Sequence, residues 1–418
     1  MTPVSPYLRR YAYALSTGIV LASAIAATSP ALYYDVVDLH LSEGVSAWIF
    51  APALTFATLV STLLMPLFYL LIGKELWEAI SVERGVMARG KALGPALLAL
   101  GAALGGVLVW HWASAVWQTS EEAGHWREAL LPIGSDVVLA YILGRLCFGR
   151  GHAALQLLLF VVIMQDILAL IVTGLVAPQA PHDSNWRFIW FLLPLIAALA
   201  GHHWLTKPAL AARASERARR RAGLLLPWLA LGLLSWLGII LAGFPPALGF
   251  LPLVPAMLHA QRSFGLFALA EGFLHDPLNK ITHLLLAPVV GVMFLHGFTR
   301  GGLDFGLIAE PTVVITFLAF FVGKPLGILC AFALCRLLQL PLPFAGRRRE
   351  YAMIALICAV GFTTPVLTMS ALLPGGIMQE SARLGFVIGF LVLVLAMFAA
   401  RQWRVERIKS SRASTNRG

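Results

Sequence analysis

Apolar residues in this chain run uninterrupted for long stretches, break at short polar segments, and resume almost to the end. Runs of about 17 to 25 residues have the length a helix needs to cross roughly 30 Å of hydrocarbon at 1.5 Å per residue. Twelve are read, near residues 11–31, 47–73, 92–117, 129–148, 152–177, 187–206, 222–242, 246–259, 281–298, 311–339, 351–373 and 381–401. A transmembrane β-barrel would alternate polar and apolar positions in short segments, so the same runs exclude it. The expected fold is all-α and polytopic, with about twelve transmembrane helices.

Composition supports lipid as the solvent. With 59% hydrophobic and 12% charged residues, the chain lacks the polar residues to cover a water-soluble surface. The formal charge of +11 is scattered through short loops and both ends and forms no single patch, which argues against a nucleic-acid partner. If the amino terminus is cytoplasmic, Arg84, Arg89, Lys91, Arg145, Arg150, Lys207, Arg213, Arg219 to Arg221, Arg262, Lys280, Arg347 to Arg349 and a basic tail from Arg401 fall inside. Only Arg127, Arg187, Arg300 and Arg383 fall outside. That asymmetry sets both termini on the cytoplasmic side and requires an even number of spans. The organisation expected is a transmembrane domain over 1–402 and a basic, disordered cytoplasmic tail over 403–418.

Two local features qualify this outline. Arg9 and Arg10 before an apolar run that ends in small residues, Ala22 to Ala27, also resemble a cleavable leader, which would leave the remaining orientation unchanged. The segment 32–46, with Tyr33, Tyr34, Val36, Val37 and Leu39 around Asp35 and Asp38, alternates enough to suggest a short external hairpin. Cys147, Cys330, Cys335 and Cys358 lie in or beside the apolar runs without metal or disulfide spacing, and read as packing residues. His202, His203, His275 and His296 likewise show no ligand spacing, and no cofactor is implied.

The informative positions are ionisable groups deep inside spans, since each costs about 2.5 to 3.5 kcal/mol on insertion scales and usually faces a cavity or a partner. Three qualify: Asp136, Asp166 and Lys324. A buried ion pair with one extra carboxylate would explain them structurally; a cation and proton site explains them functionally. Asp136 closes Pro132-Ile-Gly-Ser-Asp136, where proline and glycine interrupt the helix and free backbone groups near mid-membrane. A second interruption falls at Gly361-Phe-Thr-Thr-Pro365. Simple kinks are common in membrane helices, but two broken helices at matching places point to inverted repeats with a site at their crossing. Asp166 sits between apolar neighbours that exclude water. A carboxylate there holds a proton or a small cation in preference to neither, and that competition is the core of an exchange cycle. Oxygen ligands from Asp166, Asp136 and Ser135 suit a hard cation.

The segments LFYLLIGKELWEA, PIGSDVVLAYILG, LLLFVVIMQDILALIV, FFVGKPLGILCAF and AVGFTTPVLTMSAL resemble, in order and spacing over nearly the whole chain, those of the NhaA-type sodium/proton antiporters of bacterial inner membranes. The resemblance implies that Asp166 is the principal carboxylate, with Asp136 and Ser135 beside it in the first broken helix, Lys324 as the membrane lysine and Thr363 in the second broken helix. It also implies that Glu75 and Glu271 take part in a pH response, although both also read as simple loop charges, and that the 32–46 hairpin is a homodimer contact. The family shows adjacent aspartates where this chain has Gln165-Asp166. Lys324 must therefore find Asp136, Asp166 or the Gln165 carbonyl oxygen, and the exchange leans toward electroneutral. Phe244-Pro-Pro246 replaces a histidine-containing stretch, which puts pH regulation in question. The expected function is exchange of protons for sodium or lithium across the inner membrane. The alternatives are an exchanger or symporter of another ion, a transport-inactive sensor, or, least favoured, an intramembrane enzyme.

Overall fold

The computed structural model describes residues 6–42, 54–81, 92–117, 125–149, 152–178, 186–211, 214–258, 276–342 and 348–415. Each position expected to hold a span holds helix. Seven helices are long and apolar enough to cross a membrane unbroken: α1 (Tyr7–Thr28), α2 (Phe56–Ser81), α3 (Leu93–Val116), α5 (Ala153–Val176), α6 (Arg187–Leu210), α10 (Pro311–Leu337) and α12, whose apolar part is Ile377–Phe398. Four more positions hold helix pairs bent by 45° to 54°: α4 (Trp126–Ile133 and Val137–Phe148), α7 (Glu216–Ala222 and Leu225–Leu241), α9 (Pro277–Leu286 and Pro288–Arg300) and α11 (Arg348–Cys358 and Thr363–Leu372). The shorter apolar α8 (Pro246–Ala256) completes the order. Helix α12 continues to Thr415, so most of the segment set apart as a tail from 403 lies within its described length.

Two boundaries differ from the sequence reading. The second span, expected over 47–73, is described from Phe56 and continues through Lys74, Glu75 and Glu78 to Ser81. These charges do not end the helix because they pair within it: Lys74 Nζ lies 3.5 Å from Glu75 and 3.1 Å from Glu78. The expected 32–46 hairpin is partly helical. Pro30–Val37 forms a helix in which Tyr33 and Val37, one turn apart, are both buried. The hairpin itself pairs β1 (His40–Ser42) with β2 (Leu54–Thr55), antiparallel, and its connection lies outside the described residues.

Contacts divide the helices into two bundles. In one, α1 packs along α9, α9 on α2, α2 on α8, and α6 on α7 and α8; in the other, α3 packs on α4, α5 and α10, α10 on α11, and α12 on α10. Small residues set these distances. On α3 and α10, Gly101, Gly105, Gly323 and Gly327 bring the two backbones so close that an added Cβ on any of them would strike the opposite helix. The bundles meet along a seam where α1 touches α4, α2 and α8 touch α5, and α9 touches the second half of α11. Within the second bundle the order intact, broken, intact occurs twice, over α3–α5 and α10–α12. With the short α8 counted as a crossing, the alternation of spans makes the two triplets run in opposite directions, as inverted repeats do.

At the end of the seam that carries the α1–α2 connection, arginines from each bundle reach into the other. Arg187, opening α6, donates to the Gly174 and Leu175 carbonyls at the end of α5, at 3.0 and 3.1 Å. Arg383 on α12 donates to the Arg300 and Gly302 carbonyls at the end of α9, at 3.4 and 3.3 Å. Both place a cation at a helix C-terminus, where the dipole favours it. Glu380 lies 3.9 Å from Arg383 and accepts from the Tyr34 hydroxyl at 2.8 Å.

Candidate ion and proton site

The site forms where the breaks of α4 and α11 meet. Pro132 lacks an amide hydrogen and lies in a tight 3₁₀ stretch, His125–Ile133. Helix resumes only at Val137, leaving Gly134, Ser135 and Asp136 between the two halves. In α11 the helix stops at Cys358 and restarts at Thr363. Gly134 lets the breaks touch: a Cβ there would lie 3.1 Å from Thr364 and 3.2 Å from Pro365.

Four helix ends therefore converge with their backbone groups unpaired, and side chains satisfy each of them. Asp136 caps the restart of α4, one carboxylate oxygen accepting from the Val138 and Leu139 amides at 2.9 and 2.8 Å. Its other oxygen accepts from the amide and hydroxyl of Thr363, at the restart of α11. The Ser135 hydroxyl donates toward the Cys358 and Val360 carbonyls at the end of the first half of α11, at 3.0 and 2.9 Å. Lys324 Nζ donates to the Gly134 carbonyl oxygen at 2.6 Å. Anions thus sit at helix N-termini and the cation at a C-terminal carbonyl, each in the favourable end of a dipole.

Asp166 enters from the middle of α5, and one of its oxygens accepts from the Ser135 amide at 2.8 Å. The Thr364 hydroxyl faces the same carboxylate. Ser135, Asp136, Gln165, Asp166, Lys324, Thr363 and Thr364 are all buried, none more than 1% exposed. Asp136 is saturated by four donors on two oxygens, whereas Asp166 has a single backbone donor. Asp136 is bound into the fold as a brace; Asp166 is the less fully hydrogen-bonded of the two carboxylates.

The structure corrects the expected partner of Lys324. Among the described residues it takes none of the three groups anticipated and holds Gly134 through the carbonyl that the break releases. Its Nζ also lies 5.0 Å over the Phe320 ring. A widened turn, Ala319–Gly323, precedes it, as expected where Pro325 cannot supply an amide to the helix. Gly106 on α3 makes room for its stem, since a Cβ there would lie 3.3 Å from Lys324. Gln165 is buried beside Asp166 with neither amide atom hydrogen-bonded among the described residues.

Of the remaining expectations, Glu75 lies apart from this site. It is buried on α2 in the Lys74 cluster and is not a loop charge. Glu271 lies outside the described residues. Sequence reading missed Tyr69, whose hydroxyl lies 2.6 Å from that of Thr364. It also passed over Thr364 itself; a tyrosine in an apolar run carries no mark of what its hydroxyl meets.

Broken helices crossing in inverted repeats, with buried carboxylates at the crossing, define a multi-pass membrane transporter of the secondary class. The family described as Na+/H+ antiporter 1 matches residues 10–400, and the chain belongs to that family. It is 31% identical over 364 residues to the Na(+)/H(+) antiporter NhaA of Jannaschia sp. (strain CCS1), covering 85% of each chain. It is 25% identical over 402 residues to the NhaA of Geobacter sulfurreducens, covering 96% of this chain and 98% of that one. It is 28% identical over 406 residues to NhaA 1 of Pelobacter propionicus, covering 96% and 98%.

Proposed function

We propose that this protein exchanges sodium, and by the same chemistry lithium, for protons, with Asp166 as the group both compete for. The observation that carries the reading is the charge of the site. Lys324 supplies one positive charge against the two carboxylates of Asp136 and Asp166, all fully buried. An uncompensated buried charge is costly, so one further cation, a proton or a sodium ion, belongs in the site whenever the site changes sides. Asp136 and Thr363 are saturated as a brace, which directs that cation to Asp166, with the Gln165 carbonyl oxygen and Ser135 as neighbouring oxygen ligands. The Asp166 carboxylate then crosses the membrane with either occupant. Sodium leaving on one side is replaced by a proton on the other as the seam between the bundles shifts.

One site charge exchanged for another moves no net charge, so the cycle is electroneutral. A neutral amide at 165 removes the second carboxylate that would call for a second proton. Glu75, buried against Lys74, and Glu271 remain candidates for a pH response. The sidedness of basic residues supports a bacterial inner-membrane location with both termini cytoplasmic, and β1 with β2 is the surface on which a homodimer contact is proposed. The direct test is proton release. Sodium added to the purified, weakly buffered protein releases a proton for each sodium bound, and Asp166→Asn releases none. Sodium binding without proton release would rule out competition at one carboxylate.

A further inference from the structure

Tyr69 is fully buried on α2, in the bundle opposite Asp166, and its hydroxyl lies 2.6 Å from the Thr364 hydroxyl across the seam. Thr364 in turn faces the Asp166 carboxylate. A single threonine hydroxyl thus stands between a group on one bundle and the exchanging carboxylate on the other. A hydroxyl donates one hydrogen. When Asp166 is charged, the Thr364 hydrogen is drawn to the carboxylate, and the Thr364 oxygen is left to accept from Tyr69. Each bond in such a chain polarises the next, and the low dielectric of the site strengthens both. When Asp166 carries a proton, it no longer needs the Thr364 hydrogen, and the chain loses its charged end.

We propose that Tyr69 is a positioning residue of the exchange, acting through Thr364 to hold α2 against α11 while Asp166 is charged and empty, and relaxing that hold once Asp166 is occupied. The inference rests on the reading of Asp166 as the exchanging group. It supplies what that reading lacks, a contact across the seam whose strength depends on the occupant. An empty, charged site is kept from crossing, and an occupied one is free to cross. The other ionisable groups facing Asp166 are Asp136 on α4, Lys324 on α10 and Cys358 on α11. All three belong to Asp166's own bundle, so among these groups Tyr69 alone reports on the seam.

The test is infrared titration of the protonated-carboxyl band that Asp166→Asn removes, in the native protein and in Tyr69→Phe, which keeps the ring and loses the hydroxyl. The charged form loses support in Tyr69→Phe, so the band midpoint is expected to move to higher pH. Thr364→Val should move it further in the same direction, the double variant should match Thr364→Val alone, and Thr364→Ser should restore the native midpoint. An unchanged midpoint in Tyr69→Phe, or shifts that add in the double variant, would overturn the proposal. Sodium-driven exchange measured on the same proteins separates the two readings: no exchange by the native protein counts against the proposed function, whereas the band shift is scored without it.

Discussion

Lys324 and Gly134 lie on different halves of the inverted repeat, and the lysine ammonium donates to the glycine carbonyl at 2.6 Å. Because that carbonyl is free only where α4 is broken, the lysine holds the break open as much as it balances the carboxylates. Lys324→Met removes the donor and leaves a buried carbonyl unpaired, a loss of about 1.5 to 3 kcal/mol for a bond to a charged group. The expected result is a lower unfolding midpoint. Unchanged thermal stability would show that the lysine is not a structural tie.

Asp136 is expected to behave differently from Asp166. Asp136→Asn turns an amide NH2 toward donors of Thr363 or of the α4 restart, so at least one buried donor faces another, at a cost of about 1 to 3 kcal/mol. Thermal unfolding should register that loss, and Thr363→Val should show part of it. Asp166→Asn breaks no comparable brace, so its unfolding midpoint should stay near the native value while sodium binding is lost. Equal destabilisation by both substitutions would contradict the division of roles.

The α3–α10 contact is a second place where size alone decides. An added Cβ on Gly327 would strike the Gly101 backbone, and one on Gly105 would strike Gly323. Gly327→Val should force the helices apart and yield little folded protein, while Gly291→Val, at a site with nothing within 4 Å, should be tolerated. Yields of monodisperse protein in detergent compare the two directly.

Arg187 and Arg383 close one end of the seam from opposite bundles. Each is partly exposed, so its bonds are worth about 1 kcal/mol after screening, enough to bias a sliding equilibrium several-fold without fixing it. Replacing both with glutamine should raise amide exchange at the ends of α5 and α9 whose carbonyls they hold, and lysine should restore protection in part. Tyr34, which supports Glu380 in the same cluster, is pushed up to about 12, first by burial and then by the Glu380 carboxylate. Its hydroxyl therefore stays protonated below that range, and the clasp should show no dependence on Tyr34 ionisation between pH 6 and 9.

Much of this was legible in the sequence, for identifiable reasons. Apolar runs located the spans because lipid imposes a minimum length, and Pro132, Gly134 and Pro365 marked the breaks because each disrupts helix locally. Asp136 and Asp166 stood out because charge is rare at that depth. What pattern could not show was pairing. Lys74, Glu75 and Glu78 looked like the end of a span until their pairing was seen, and Tyr33 and Val37 looked alternating although they share a helix face. Lys324 was matched with a side chain because backbone carbonyls carry no residue name. Tyr69 and Thr364 come from distant parts of the chain, and only the fold sets their hydroxyls together.

The most direct measurement of the central claim is sodium-driven proton movement in proteoliposomes, with an internal pH dye and a membrane-potential probe, for the native protein, Asp166→Asn and Gln165→Asp. The account predicts that the native protein moves protons against sodium without generating a potential, that Asp166→Asn moves none, and that Gln165→Asp, by restoring a second carboxylate beside Asp166, makes the exchange generate a potential. Undiminished exchange in Asp166→Asn, or a native protein that moves no protons with sodium or lithium between pH 6 and 9, would contradict it.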